Sequence, residues 1–125
     1  MKVNNNRANR PEPAPGDVWN ANLYFDDRSG SKNRPVIVLE KRGTKFTVLM
    51  VTSHGGRYPN TDFKLLDPYE VMLDKTSTVR GDRLFQIPFS KFNYKLGHMC
   101  PEDCELVGDV FDRLRDTRAY KRGDY

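Results

Sequence analysis

Two histidines, two cysteines and one tryptophan are all that this 125-residue chain holds of those types, and it has no long apolar run. Each shortage narrows the chemistry. Cys100 and Cys104 are too few for a disulfide framework, and a structural zinc ion needs four ligands. They read as reduced, partly buried thiols, because a free cysteine behaves as a small apolar residue. His54 and His98 stand alone in separate segments, which reads as structural or solvated histidine and leaves a triad-type hydrolase without its parts. P-loop, G-x-G-x-x-G and His-Glu-x-x-His patterns are missing, as is any carboxylate cluster at metal spacing, so the residues ask for no metal or other cofactor. No stretch approaches the ~18 apolar residues of a membrane span, and "MKVNNNRANRPEPAP" lacks an apolar signal core. The expectation is a soluble, cytoplasmic protein with no membrane partner.

What is present is concentrated. The hydrophobic fraction is only 37%, but much of it falls in "NRPVIVLEKRGTKFTVLMVTS", residues 33–53. That suffices for the modest core of one domain, helped where a second copy buries more surface. The net charge of +4 belongs to the tails: residues 1–15 carry +2, residues 113–125 carry +3, and the body between them carries −1. Within that body, Arg28, Lys32, Arg34, Lys41, Arg42, Lys45 and Arg57 face Glu40 alone over residues 28–57. Such a segment attracts a polyanion to one face, or is a solvated surface.

Residues 1–14 are too polar to offset the entropy of ordering and read as a disordered arm. "DVWNANLYF" alternates Trp19, Ala21, Leu23 and Phe25 with Val18, Asn20, Asn22 and Tyr24, the period of a half-buried strand. "DDRSGSKN" reads as a loop. "PVIVLEK" and "KFTVLMVTS" are β-branched runs around Arg42-Gly43-Thr44, an antiparallel hairpin. "SHGGRYPNTD" is a polar loop; "FKLL" and "YEVML" are weak strand candidates, "RLFQIPF" a better one, and "YKLGHM" a short last strand. From Pro101 the period changes, with Leu106, Val107, Val110, Phe111 and Leu114 in one stripe. Pro101 suits a first helical turn, and Glu102, Asp103 and Glu105 complement the dipole there, as Arg113, Arg115 and Arg118 do at the other end. The helix is expected over 101–117, and 118–125 forms a basic tail. Short strands closed by one amphipathic helix make a mainly β fold, a small twisted barrel or strongly bent sheet over residues 15–117.

Polar residues at strand ends are where chemistry can sit. The first residue of one hairpin strand lies near the last of its partner, which places Arg34 close to Thr52 and Ser53. A planar fork of donors with two hydroxyls suits a phosphate. In "VRGD", residues 79–82, Arg80 and Asp82 would share one face of a strand, a cation and a base side by side. The plainer readings are strand ends and a surface ion pair.

Taken in order, "PGDVWNANLYF", "NRPVIVL", "VLMVTS" and "STVRGDRLFQIP" resemble the MazF/PemK family of toxin–antitoxin endoribonucleases over residues 15 to about 114. Gly16-Asp17-Val18-Trp19 matches the family's opening strand, Arg34-Pro35-Val36-Ile37-Val38 its "RP" strand, Val51-Thr52-Ser53 its "T-[ST]" strand end, and Val79-Arg80-Gly81-Asp82 its "V-[RK]-x-D" segment. The chain departs from the pattern before Arg34, where Ser29-Gly30-Ser31-Lys32-Asn33 lacks the acid of "G-[SH]-E-Q".

The resemblance implies an SH3-like barrel with a C-terminal helix (MazF/PemK/CcdB-like), acting as a homodimer. It implies metal-independent cleavage of single-stranded RNA, opposed by a cognate antitoxin in the RNA groove. On that reading Asp82 is the base that activates the RNA 2′-hydroxyl, Arg34 clamps the phosphorane, and Thr52 or Ser53 donate hydrogen bonds. Arginine does not release its proton, so Arg80 is a charge stabiliser rather than an acid. Arg28, Lys32, His54 and Arg57 are expected to bind RNA. Two alternatives share the fold: a toxin acting by protein contact, as gyrase inhibitors do, and a module that binds RNA without cutting it.

Overall fold

The alternation in "DVWNANLYF" does produce a strand, β1 (Asp17–Phe25), in the computed structural model, which describes residues 11–25, 30–55 and 58–116. Trp19, Ala21 and Leu23 point to one buried side, and Asn20, Asn22 and Tyr24 lie on the more exposed one. β2 (Gly30–Arg42) and β3 (Lys45–Thr52) form the hairpin around Gly43, whose φ of 65° is left-handed backbone that glycine adopts without penalty. β4 (Thr78–Val79), β5 (Phe85–Pro88) and β6 (Phe92–His98) complete an antiparallel sheet of order β4-β3-β2-β1-β6, with β5 on the first half of β3. α1 (Pro101–Arg115) follows.

Two apolar clusters explain the unbroken runs in β2 and β3. Val36, Val38, Phe46, Val48 and Met50 join Trp19, Leu23, Phe85 and Phe92 inside the curl of the sheet. Ile37, Leu49 and Val51 face the opposite way and join Val18 under the Val107, Val110, Phe111 and Leu114 stripe of α1. Strands covered on both sides have no polar face, so alternation disappears. Between Val38 and Glu40 the ladder slips by one residue, a bulge that bends β2 and lets the sheet coil.

Three expectations are corrected. The loop expected over 26–33 is shorter, because β1 and β2 stay paired as far as Phe25 and Gly30, so Gly30–Asn33 belong to β2. "FKLL" forms no strand among the described residues; Phe63 makes a single bridge to Val79. "YEVML" is a 3-10 turn, Pro68–Val71, ending on Met72 at φ 59°. The physical reason is Asp103, fully buried in the first turn of α1. Its carboxylate accepts the backbone N–H groups of Leu66 (2.7 Å) and Asp67 (3.0 Å), supplying the partners that a strand ladder would otherwise provide.

From the N-terminal arm, Pro13 is buried and Glu12 pairs with Lys41 at 3.0 Å. The helix ends at Arg115 with Asp116 as its cap, two residues before the expected end; residues 1–10, Thr117 and the basic tail lie outside the described residues. No helix among the described residues is long and apolar enough to cross a membrane.

Candidate active site

The hairpin brings its two ends together as strand pairing requires. Val36 lies opposite Met50, and continuing that register by two residues sets Arg34 beside Thr52. Both line an open cavity of about 240 Å³ at the rim of the barrel. Its floor is apolar, from Phe25, Met50 and Phe85, and its polar walls are Lys32, Arg34, Thr52, Arg80, Asp82 and Arg83. Four cations against one carboxylate make it a site for an anion.

Arg34 is half-buried and spends one N–H on the carbonyl of Asn33 (3.2 Å); its other donors meet no acceptor among the described residues. Thr52 Oγ1 accepts the backbone N–H of His54 at 3.1 Å, which leaves the hydroxyl proton for a ligand. Ser53 follows in a bend just past the end of β3, and its hydroxyl lies 3.2 Å from the His54 ring nitrogen. Ser53 and His54 are both exposed and do not line the cavity. Arg28 and Arg57 fall outside the described residues.

Arg80 and Asp82 meet, although not on a strand. β4 ends at Val79, and Arg80–Asp82 form a turn whose start is fixed by the Arg80 N–H on the Met50 carbonyl at 2.9 Å. Within that turn the guanidinium and carboxylate are bidentate, Nε to Oδ1 at 3.1 Å and Nη2 to Oδ2 at 3.0 Å. Paired donors in a parallel fork are the strong form of this contact.

Sequence reasoning missed three residues here. The Tyr58 ring lies under the Arg80 guanidinium at 4.0 Å, Arg83 covers the Phe85 ring at 4.6 Å, and the Asp62 carboxylate approaches Arg80 from behind. Tyr58 and Asp62 reach the site through the Phe63–Val79 bridge, a pairing that no local pattern announces. Arg83 was legible: it stands one residue beyond "VRGD".

A second cavity, of about 220 Å³, lies under α1 and is lined by apolar groups and the Cys104 thiol. Burial pushes that thiol's pKa up, and the nearby Asp103 and Asp17 carboxylates push it further, the reverse of what a nucleophilic cysteine needs. Among the described residues no three His, Cys, Asp or Glu side chains converge as metal ligands would.

No curated protein sequence matches the chain significantly. Solved structures do match in fold. An endoribonuclease from a mycobacterial species, in complex with its cognate antitoxin, superposes with a TM-score of 0.62 at 14% identity, covering 83% of this chain and 95% of that one. A chain of the MazE–MazF complex from Deinococcus radiodurans gives 0.63 at 18%, over 86% and 99%. The Mycobacterium tuberculosis toxin MazF-mt6 gives 0.53 at 21%, over 77% and 96%. The half-closed antiparallel barrel with its C-terminal helix is thus the MazF fold. A family model matches residues 14–114, β1 through α1 with the cavity included, and by that match the chain belongs to the PemK-like, MazF-like toxins of type II toxin–antitoxin systems.

Proposed function

We propose that this toxin is an endoribonuclease that cuts single-stranded RNA at short sequences, as a homodimer restrained by its cognate antitoxin. The observation that carries the reading is the convergence of Arg34, Thr52, Arg80 and Asp82 on one basic cavity. The mycobacterial endoribonuclease named above, solved in complex with its cognate antitoxin, supports it. Leu66, Tyr69 and Met72, all about 70% exposed, supply apolar surface for a second copy or an antitoxin to cover.

The chemistry comes from the substrate's own 2′-hydroxyl. Asp82 takes its proton, the 2′-oxygen attacks the adjacent phosphorus, and the 5′-oxygen leaves. The products are a 2′,3′-cyclic phosphate and a free 5′-hydroxyl, with a water protonating the leaving oxygen. Arg34 holds the non-bridging oxygens, Thr52 donates its hydroxyl proton to them, and Arg80 offsets the charge that grows on the phosphorane. Lys32 and Arg83 hold neighbouring phosphates. Ser53 and His54 take no part in the step.

The test is an oligoribonucleotide carrying the cut site found by mapping the 5′ ends of RNA incubated with the protein. Replacing the one 2′-hydroxyl beside the scissile phosphate with hydrogen should stop cleavage and spare binding. Cutting of the deoxy-substituted strand overturns the mechanism. RNA that is bound and never cut overturns the nuclease reading in favour of a binding module.

A further inference from the structure

Arg80 Nε carries one hydrogen, and two carboxylates stand within reach of it. Asp82 Oδ1 takes that hydrogen at 3.1 Å. Asp62 Oδ1 lies 3.4 Å from the same nitrogen, is buried, and receives no hydrogen bond among the described residues. A buried carboxylate oxygen left without a donor is costly, so its position asks for a reason.

Asp62 is fixed there from two sides. Its Oδ2 accepts the Tyr58 N–H at 3.2 Å, and its own N–H goes to the Tyr58 carbonyl at 2.8 Å. The same turn lays the Tyr58 ring under the Arg80 guanidinium. Its side chain is 4% exposed, against 28% for Asp82. One carboxylate is thus held inside the fold, while the other faces the cavity.

We infer that Asp62 is a positioning residue that takes over the Arg80 Nε–H when Asp82 turns to the substrate. This rests on the nuclease reading, in which Asp82 must release at least one contact to accept the 2′-hydroxyl proton. With Asp62 behind it, that release exchanges one acceptor for another. The guanidinium stays flat on Tyr58, and its Nη edge stays directed at the phosphate. Without Asp62, Arg80 would hold Asp82 as its sole carboxylate partner or follow it out of place.

The Arg80 Nε–Hε signal in 15N NMR tests this, assigned by its disappearance in Arg80→Lys. In Asp82→Ala the proton should remain protected from solvent exchange, because Asp62 now accepts it. In Asp82→Ala/Asp62→Asn, exchange should be faster by about tenfold or more. There the Tyr58 N–H keeps the oxygen of the new carboxamide, whose NH2 is then turned toward Arg80. Loss of protection in Asp82→Ala alone overturns the inference, and that reading needs no Asp62 variant to fold. On the mapped oligoribonucleotide, Asp62→Asn should lower kcat by about tenfold, a barrier change of one decade, and leave KM within a factor of a few. An unchanged kcat also overturns it. A wild-type protein that never cuts RNA overturns the nuclease reading instead, and the exchange measurement still decides whether Asp62 holds Arg80.

Discussion

Gly81 lies against the backbone carbonyl of Thr61 so closely that a methyl group on its α-carbon would overlap that oxygen. The contact presses the 58–62 turn onto the Arg80–Asp82 turn, and it explains a glycine between the two charged residues. Gly81→Ala should push the turns apart, costing about 1–3 kcal/mol as overpacking does. Urea unfolding measures the loss. Cleavage should fall further than stability accounts for, because the Tyr58–Arg80 stack is what moves. A variant as stable and active as the parent would show that the two turns are not coupled.

Arg34 and Thr52 give a graded pair. Arg34→Ala removes the residue with most of its donors uncommitted, and should lower kcat/KM by about 10²-fold or more, the usual loss for one donor to a developing oxyanion. Thr52→Val keeps the shape and loses one hydroxyl, and a loss of about tenfold is expected since water can replace it. Circular dichroism should show both folded, as Arg34 sits at the rim. Wild-type turnover in Arg34→Ala would remove the centre of the proposed mechanism.

Acid should expose a separate feature, far from the site. Asp17 is buried at the start of β1, where burial raises its carboxyl pKa; the His98 ring, the Ala14 N–H, the Trp19 indole and Lys95 lower it by more. The net value lies below the 3.8 of an ordinary aspartate. A carboxyl lowered in the folded state takes protons first when unfolded, so its stabilisation is full above the unfolded value. It is lost as pH falls through the folded one. Asp17→Asn would set an NH2 group against His98 and Lys95, and should cost about 1–3 kcal/mol near neutrality. Unfolding measured from pH 7 to pH 2 should show the gap to the parent narrowing below about pH 4. A gap independent of pH would mean that packing, not charge, is what Asp17 contributes.

Legibility in the sequence followed the range of the contacts. β1, the hairpin and α1 were readable because period, β-branching and Gly43 act over a few residues, and Arg34 with Thr52 came along because a hairpin is local. The stretch from Phe63 to Leu73 was not. Leu65, Val71 and Leu73 are buried at irregular spacing, and the donors of Leu66 and Asp67 are satisfied by Asp103, 37 and 36 positions away. The Arg80–Asp82 pair was anticipated, but on a strand that ends at Val79. Tyr58 and Asp62 looked like loop residues because nothing nearby says which segment the loop will meet.

Charge was legible in amount and not in place, and this yields a last prediction. The basic segment 28–57 is divided by the hairpin between its two ends. Lys32 and Arg34 line the cavity, while Lys41, Arg42 and Lys45 gather at the far turn, where Lys41 is held by Glu12. β3 separates Lys45 from Thr52, and eight residues at about 3.3 Å each span roughly 23–26 Å. That exceeds the Debye length of about 8 Å at physiological salt, so the far cluster is screened from a phosphate in the cavity. Each phosphate contact with a single strand contributes about 0.7 to the slope of log affinity against log salt. Lys32→Ala should therefore lower that slope by about 0.7, and Lys45→Ala should leave it unchanged. Fluorescence anisotropy with the uncleavable deoxy-substituted strand, at salt from about 50 to 300 mM, measures both. Equal slope changes for the two variants would mean that RNA runs along the hairpin rather than through the cavity, and the placement of the scissile phosphate at Arg34 would have to be abandoned.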